Sequence, residues 1–298
     1  MSEAHLNTTE RPDSAALPAA CRVCHPALKT DAAPVIFSSP HSGRFYPPAF
    51  LAQLKVPEMD LRRTEDAFID ELFAATVRHG ATLIHATYPR SYVDLNRDAN
   101  ELDRQMFEDG LPRTAGRPTP HVRAGLGSLP KIGAAGQQIY ATRLSRAEGR
   151  DRLTRIHDVY HATLQAELET QRAKTGQVLL IDCHSMPSQQ VGRKNLPDVI
   201  LGDRFGSSCA PGLTLTVEKA LRSQGLSVSR NAPYAGGYTT RRYGRPQSGQ
   251  HALQIELNRG LYLDEQRVEK SAGFERLKDA LEPTIAAIIA FSQTPLEP

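Results

Sequence analysis

The stretch VLLIDCHSMP, residues 178–187, constrains the fold most, because its apolar run must be buried and then ends in polar side chains. Residues 143–176 precede it with apolar side chains at helical spacing and stop at Gly176, which predicts a long amphipathic helix. A buried strand that directly follows such a helix is typical of an α/β fold. The acid, thiol, imidazole and hydroxyl of residues 182–185 indicate that this strand ends at a site.

Similar patterns of strand and helix alternate along the rest of the chain. Strands are predicted at residues 33–43, 81–89, 91–97, 198–203, 226–234 and 251–262, and helices at residues 59–80, 212–225 and 273–293. The strands at 81–89 and 91–97 have no helix between them, which predicts an antiparallel pair or a sheet edge. We therefore predict a single α/β domain over residues 31–298, with a mixed, mostly parallel central sheet and helices on both faces.

The first 30 residues lack apolar periodicity and are predicted to form a loosely ordered, flexible arm. The arm contains CRVCH, with Cys21, Cys24 and His25, which matches the C-x-x-C-H pattern of haem attachment and half of a zinc ribbon. We expect no chemistry from it, because the chain has no second C-x-x-C. The N-terminus also lacks the pattern of a signal peptide, so we expect a cytoplasmic protein with free thiols.

Charge and apolar patterning exclude two classes of partner. The 36 basic and 33 acidic residues are mixed along the chain, which gives a net charge of +3 and no basic block that would bind nucleic acid. No apolar run is long enough to cross a membrane. The small positive excess is compatible with an anionic small-molecule substrate. Residues 98–138 are too rich in Gly, Pro, Arg and Asp for regular elements, which predicts a lid or binding loop.

Polar side chains collect at the predicted strand ends: His41; Asp94, Asn96 and Arg97; Asp182, His184 and Ser185; and Glu256. The G-x-S-x-G and P-loop motifs are absent, and histidines, carboxylates and arginine indicate a metal hydrolase. A catalytic zinc takes three ligands from histidine and acidic residues and leaves a fourth position open for water.

His41 and His184 are the candidate histidine ligands, although each alone could be a core histidine bonded to backbone. The acidic ligand is Glu65 or Asp66 at the start of a predicted helix, where adjacent side chains point about 100° apart and only one can face the metal. Glu256 lies alone in an apolar strand and is the candidate general base; the alternative is an exposed residue on an alternating strand.

Three further groups have two interpretations each. Arg97 is a candidate clamp for a substrate carboxylate or an internal partner of Asp94 or Asp98, and Arg90 is a weaker candidate of the same kind. The stretch YAGGYTTRRYGRP, residues 234–246, is a carboxylate-binding loop or a solvated turn. A solvent-facing or packing role is expected for the histidines on predicted helices or inside a strand: His79, His85, His157 and His161.

Six ordered motifs between residues 34 and 290 resemble the N-formylglutamate amidohydrolase family: SSPHSGRFYP, YPRSYVDLNRD, GLGSLPKI, LLIDCHSMP, PDVILGDRFGSSCAPGL and GGYTTRRYGRPQSGQHALQIELNRGLYLDE. That family is similar to the zinc carboxypeptidases and aspartoacylases, whose second metal ligand is a glutamate three residues after the first histidine. Arg44 occupies that position here. The amidohydrolases carry an aspartate in the motif that matches TEDAFID, which favours Asp66.

The resemblance implies one Zn²⁺ held by His41, Asp66 and His184, with Glu256 as general base. It also implies substrate contacts from Asn96, Arg97, Arg241 and Tyr238, with Arg97 stabilising the oxyanion. The reaction implied is hydrolysis of an N-formyl or N-acyl amino acid, foremost N-formyl-L-glutamate, as the last step of a histidine degradation route. Two alternatives stay open: a zinc peptidase acting on short peptides or cell-wall fragments, and a binding protein of the same fold without catalysis. The presence of Glu256 with both histidines argues against the binding protein.

Overall fold

A seven-stranded sheet forms the centre of the part of the chain that this computed structural model describes, residues 17–27, 32–111, 117–190, 192 and 196–295. Its strands are β1 (Cys21–Cys24), β2 (Val35–Ser39), β3 (Thr82–Ala86), β4 (Val178–Met186), β5 (Val199–Gly202), β6 (Val228–Arg230) and β7 (Gln250–Asn258). They lie in the order β1-β3-β2-β4-β7-β5-β6. The pairings of β1 with β3 and of β5 with β7 are antiparallel, and the other four are parallel. The prediction of a mixed, mostly parallel sheet is confirmed.

Helices connect the strands and close the chain. They are α1 (Pro48–Leu51), α2 (Glu58–Arg62), α3 (Ile69–Leu72), α4 (Pro120–Arg123), α5 (Arg146–Arg152), α6 (Val159–Thr175), α7 (Pro211–Ser223), α8 (Tyr238–Tyr243) and α9 (Phe274–Ser292). A π-helical segment, Leu153–Asp158, joins α5 to α6, so residues 146–175 form one helical stretch. It ends at Gly176, whose φ of 80° is the left-handed conformation that glycine adopts readily. A small hairpin, β8 (Leu263–Asp264) and β9 (Glu269–Lys270), follows β7.

The two faces of the sheet carry separate apolar clusters, as the period of two along a strand requires. On β4, Leu179 and Ile181 belong to the cluster that contains residues of α7 and α9. Val178 and Leu180 belong to the cluster that contains residues of α6. Helices therefore cover both faces, as predicted from the alternation of strands and helices.

The single helix predicted over residues 59–80 is wrong. The segment forms α2, α3 and a short 3₁₀ helix, Ala74–Val77, with a turn between α2 and α3. Phe68 has a φ of 62°, which a continuing right-handed helix does not allow, and the Asp66 N–H donates to the His41 carbonyl. The apolar spacing fits the pieces as well as it fits a single helix, so the pattern alone does not reveal the break.

The strand predicted over residues 91–97 is also wrong, because this segment forms turns. Val93 and Leu95 alternate with polar residues as a strand would, but they pack into the apolar cluster beside α6 from a loop. The Asp94 N–H donates to the Ser128 carbonyl, and the Leu95 carbonyl contacts the His161 side chain. These partners, which come from distant parts of the chain, replace the hydrogen bonds of a sheet.

The prediction of a flexible arm over the first 30 residues is wrong for Cys21–Cys24, because these residues form edge strand β1 beside β3. Residues 1–16 lie outside the described residues. Four residues at a sheet edge are too short a pattern to stand out in the sequence. Cys21 and Cys24 are both free thiols, and residues three apart on a strand point to opposite faces. His25 lies beside Glu167 instead, with 3.5 Å between His25 Nε2 and Glu167 Oε1. No helix among the described residues is both long and apolar enough to cross a bilayer.

Candidate metal centre and surrounding cavity

On the sheet face that packs against α6, polar residues replace apolar ones towards the carboxyl ends of β4 and β7. Along β4 this face carries Leu180 and then Asp182 and His184, and along β7 it carries Gln254 and Glu256. His184 is paired in register with Glu256 on the neighbouring parallel strand. Neighbouring strands lie about 4.8 Å apart, so both side chains project from the same part of the face.

Three buried side chains from distant parts of the chain meet at this place: His41, Asp66 and His184. Their ligand atoms all lie within 4.8 Å of one another. Asp66 Oδ2 is 2.9 Å from His184 Nδ1 and 3.3 Å from His41 Nδ1. His41 follows β2, and Asp66 lies in the turn after α2. The backbone bond from Asp66 to the His41 carbonyl holds the two loops together. The structure thus brings together the three residues that the family resemblance implies as metal ligands.

The far nitrogen of each imidazole lies beside a buried carboxylate. His41 Nε2 is 2.8 Å from Asp94 Oδ1, and His184 Nε2 is 3.1 Å from Asp182 Oδ2. The second contact is close without the alignment of a hydrogen bond. Metal-binding histidines commonly present one nitrogen to the ion and the other to a carboxylate, which fixes the ring orientation. Both imidazoles therefore present Nδ1 towards Asp66.

Glu65 and Asp66 lie in the turn between α2 and α3 and not at the start of a helix. Glu65 points away from the two histidines, because its Oε1 accepts a hydrogen bond of 2.6 Å from the Tyr46 hydroxyl. Burial raises the pKa of Glu65 to about 7. Arg44, at the position where the zinc carboxypeptidases have a metal ligand, pairs with Asp70 and Glu71. Asp66 is thus the acid that reaches the imidazoles.

Two arginines hold the Asp66 carboxylate on its other side. Arg259 donates to Asp66 Oδ1 at 3.0 Å and to the Ser185 hydroxyl at 3.1 Å, and Arg90 NH1 lies 3.8 Å from Asp66 Oδ1. Burial alone would raise the pKa of Asp66, but the hydrogen bonds with His184 and His41 lower it well below its usual range. Arg259 was missed in the sequence, although its position just after the buried strand β7 was a usable signal. Arg90 pairs with Asp94 at 2.9 Å, an internal role in place of a substrate clamp.

Glu256 lines the same cavity as the three candidate ligands. Burial raises its pKa to about 7, in the range where a carboxylate can both accept and return a proton at neutral pH. Gln254 donates to Glu256 Oε1 at 2.9 Å and accepts from the Gly237 N–H at 2.8 Å. This glutamine, which the sequence analysis did not single out, joins Glu256 to the loop that precedes α8.

Asn96 and Arg97 also line the cavity, and neighbouring elements fix both. Asn96 Oδ1 accepts from the Thr239 N–H at 2.8 Å, and its Nδ2 lies 3.2 Å from His184 Nε2. The Arg97 guanidinium donates to the backbone carbonyls of Leu126 and Asn96. The alternative in which Arg97 bridges to Asp94 or Asp98 is wrong among the described residues, since neither acid forms an ion pair with it.

Two histidines of the long helical stretch, residues 146–175, contact the backbone of residues 95–97. His157 Nε2 lies 2.9 Å from the Arg97 carbonyl, and His161 Nε2 lies 2.9 Å from the Leu95 carbonyl. Burial lowers the pKa of His161 to about 3, so the ring is neutral, and its other nitrogen accepts from the Tyr243 hydroxyl. The packing role expected for these histidines is therefore specific: they hold the loop that carries Asn96 and Arg97. A helical pattern alone cannot show which residues the helix contacts.

The cavity has a volume of about 830 Å³. Its wall includes Tyr238 and Arg241, so the stretch 234–246 lines the cavity, while carboxylate binding by this loop stays a prediction. Arg241 is exposed, and its guanidinium lies 5.6 Å from the centre of the Tyr238 ring. The segment 98–138, predicted to lack regular elements, contains α4 and a short 3₁₀ helix, Arg104–Met106, so that part of the prediction is wrong. It supplies further wall, including Glu101, His121 and Leu126; residues 112–116 lie outside the described part.

The donors fit a divalent metal such as zinc. Two imidazoles and one carboxylate are a common ligand set of catalytic zinc sites, which keep one further position open. All three donors are buried, where an unpaired charge would be costly. Both carboxylate oxygens of Asp182 are buried without a hydrogen-bond partner among the described residues. The His184 ring is the one ion-pair partner of this carboxylate among the described residues, and a cation bound by His184 would add positive charge beside it.

Comparisons with known proteins give matches over most of the chain. The profile of the family described as N-formylglutamate amidohydrolase matches residues 33–263. An N-formylglutamate deformylase of Pseudomonas aeruginosa is 32% identical over 267 residues, which cover 88% of this chain and 92% of the relative. The N-formylglutamate deformylase of Pseudomonas putida is 31% identical over 256 residues, 84% of this chain and 88% of the relative.

Solved structures share the fold. The crystal structure of the N-formylglutamate amidohydrolase from Ralstonia eutropha JMP134 superposes with a TM-score of 0.87 at 36% identity, covering 93% of this chain and 99% of that one. A gene product of Agrobacterium tumefaciens has a TM-score of 0.59 at 18% identity, with 92% of each chain covered. The second likeness shows the fold alone.

Proposed function

This chain belongs to the N-formylglutamate amidohydrolase family, and from that membership we propose that it hydrolyses N-formyl-L-glutamate to formate and L-glutamate. The observation that carries the proposal is the meeting of three buried metal donors, His41, Asp66 and His184, in the cavity that Glu256 also lines. We assign residues 31–298 to the catalytic domain and add to it β1, residues 21–24, which pairs with β3 at the edge of its sheet.

The metal is proposed to be one Zn²⁺ ion, held by His41, Asp66 and His184. Bound there, zinc would supply a Lewis acid that polarises the amide carbonyl and lowers the pKa of water. His and carboxylate ligands suit zinc, and the carboxylates behind both imidazoles keep the rings oriented for it.

Glu256 is proposed as the general base. Its carboxylate takes a proton from the attacking water and returns it to the leaving nitrogen, so that the amide C–N bond breaks and a free amino group results. The raised pKa of about 7 suits both transfers. Its hydrogen bond to Gln254 and its position beside His184 hold the carboxylate in place.

Asn96 and Arg97 are proposed to bind the substrate, with Arg97 also stabilising negative charge on the carbonyl oxygen. The backbone bonds of the Arg97 guanidinium to Leu126 and Asn96 fix its plane before the substrate arrives, which is the preorganisation that electrostatic stabilisation requires. Arg241 and Tyr238 are proposed as further substrate contacts in the cavity wall. The pathway assignment, histidine degradation, and a cytoplasmic location are part of this proposal.

The proposal is tested by measuring release of the free amino acid from N-formyl-L-glutamate by the zinc-loaded protein, beside N-formyl-L-aspartate, N-acetyl-L-glutamate and short peptides, with formate as the second product of the N-formyl substrates. We expect the highest kcat/KM with N-formyl-L-glutamate and loss of turnover after chelation, restored by zinc. Faster cleavage of short peptides would support the peptidase alternative. If the protein carries one zinc per chain and hydrolyses none of these substrates, the proposal that it is an amidohydrolase is wrong.

A further inference from the structure

The arginines of the cavity wall divide into two groups. Three have acidic partners: Arg63 pairs with Asp60, Arg90 with Asp94, and Arg259 with Asp66. The other three have no ion pair with any described residue: Arg97, Arg204 and Arg241. An arginine in a cavity wall that forms no ion pair within the protein is available to an anionic ligand.

Arg204 differs from the other two unpaired arginines because its guanidinium has no contact with a described residue that would fix its position. Arg97 donates to two backbone carbonyls, and Arg241 lies near the ring of Tyr238. The Arg204 side chain has no hydrogen bond, ion pair or ring contact with any other described residue, although the residue is half-buried. Its guanidinium can therefore offer all of its donors to a ligand.

The backbone places Arg204 close to the proposed substrate contacts. The Arg204 N–H donates to the Ala235 carbonyl at 2.7 Å. A Cβ on Gly236 would lie 3.0 Å from Arg204 Cγ, and a Cβ on Gly237 would lie 2.4 Å from Asn96 Nδ2. The stem of Arg204 and the amide of Asn96 thus pack against consecutive glycines, whose Cα atoms are about 3.8 Å apart.

A constrained turn after β5 presents Arg204. Arg204 and Phe205 both have left-handed φ angles, 52° and 58°, which cost free energy for residues other than glycine and persist only where surrounding contacts impose them. Asn231 Oδ1 accepts from the Asp203 and Phe205 N–H groups, and Asp203 Oδ1 accepts from the Gly206 N–H. The Asp203 carboxylate accepts hydrogen bonds within this turn and forms no ion pair with the adjacent Arg204.

We propose that Arg204 selects the substrate by pairing with its side-chain carboxylate. The inference rests on the proposed function, in which Asn96 and Arg97 bind near the reacting amide. N-formyl-L-glutamate carries two carboxylates, and of the two unpaired arginines beyond Arg97, Arg204 differs from Arg241 in having no ring contact that holds its guanidinium. Arg204 and Asn96 pack against the consecutive glycines 236 and 237. Arg204 has no ion pair with a described residue, and a constrained turn holds its backbone. The substrate class is therefore N-acyl amino acids with an acidic side chain.

The test compares N-formyl-L-glutamate with N-formyl-L-glutamine, which replaces the side-chain carboxylate by an amide of similar shape. In Arg204→Met we expect kcat/KM for the glutamate substrate to fall about 10- to 100-fold, as for the loss of a charge-assisted hydrogen bond. The value for the glutamine substrate should change less than about threefold. Arg204→Lys should retain part of the preference, and Arg276→Met, at an exposed arginine of α9, should behave as the unsubstituted protein.

Two results would overturn the inference: an equal loss on both substrates, which indicates a structural role, or no loss on either. A binding measurement separates it from the proposed function. In the Glu256→Gln background, Arg204→Met should weaken binding of L-glutamate but not of L-glutamine. If the unsubstituted protein does not hydrolyse N-formyl-L-glutamate, the proposed function fails, and this binding difference still decides the role of Arg204.

Discussion

Glu65 and Asp66 are adjacent in the chain, yet their carboxylates bind different partners. Asp66 Oδ2 lies 2.9 Å from His184 Nδ1, while Glu65 Oε1 accepts from the Tyr46 hydroxyl at 2.6 Å. The turn after α2 separates the two side chains, and Phe68 in the left-handed region completes the turn. The sequence left open which of the two acids lies beside the histidines. Backbone geometry places Asp66 there and Glu65 beside Tyr46.

Asp66→Asn should lower the bound zinc from one ion per chain to well below half, because the amide cannot supply the anionic ligand between the two imidazoles. Glu65→Gln is the matched control: it removes a neighbouring carboxylate that does not reach the histidines, and it should keep full zinc content. Metal analysis of the purified proteins measures both. Equal zinc loss in the two variants would contradict the assignment of Asp66.

Glu256→Gln should keep one zinc per chain and lose about 10²- to 10⁴-fold in kcat, because the amide has nearly the same shape but cannot accept a proton from water. The Gln254 side chain can still hydrogen-bond the new amide, so the loop before α8 should stay in place. Steady-state formate release and metal analysis test this prediction. The exposed Glu275 of α9 offers the control Glu275→Gln, and near-normal turnover in Glu256→Gln would exclude it as the base.

His161→Phe should lower kcat/KM about tenfold with zinc content unchanged, since it removes the side-chain bonds to the Leu95 carbonyl and the Tyr243 hydroxyl. His161→Gln keeps a donor for the carbonyl and should recover part of the loss. Kinetics for both variants, with thermal unfolding as a fold control, test a positioning role. If Gln and Phe reduce activity alike in proportion to lost stability, His161 only packs the core.

Cys21→Ser combined with Cys24→Ser should leave zinc content and formate release unchanged. The two thiols are three residues apart on β1, which directs them to opposite faces of an edge strand, and His25 lies beside Glu167. Metal analysis and activity assays check the expectation. A loss of metal in the double variant would show that the C-x-x-C-H motif binds an ion after all.

Much of the fold and of the site was predictable because it depends on local periodicity and on strand ends. The apolar run at residues 178–181 and the helix before it predicted β4 and α6, and polar residues at strand ends predicted His41, His184 and Glu256. Asp66 needed the family resemblance, since periodicity predicted one helix where the chain breaks and brings Asp66 beside the two histidines.

The parts of the site that could not be predicted from the sequence depend on contacts between distant segments of the chain. Arg259 reaches Asp66 across 193 residues, and His161 reaches the Leu95 carbonyl across 66. Arg204 looks like an ordinary charged loop residue, and the sequence does not show that its side chain lines the cavity without an ion pair among the described residues. No pattern within a window of ten or twenty residues contains this information, because tertiary packing alone brings these groups together.

Gly237→Ala should lower kcat/KM about 10- to 100-fold, because its Cβ would stand 2.4 Å from Asn96 Nδ2 and the amide would have to move. The backbone itself permits alanine, since the φ of Gly237 is −92°. A double-mutant cycle with Asn96→Ala tests the cause. If Gly237→Ala acts by displacing Asn96, adding it to Asn96→Ala should cost less than about twofold more. Fully additive losses would mean that Gly237 acts on the site by another route, such as the bond from its N–H to Gln254.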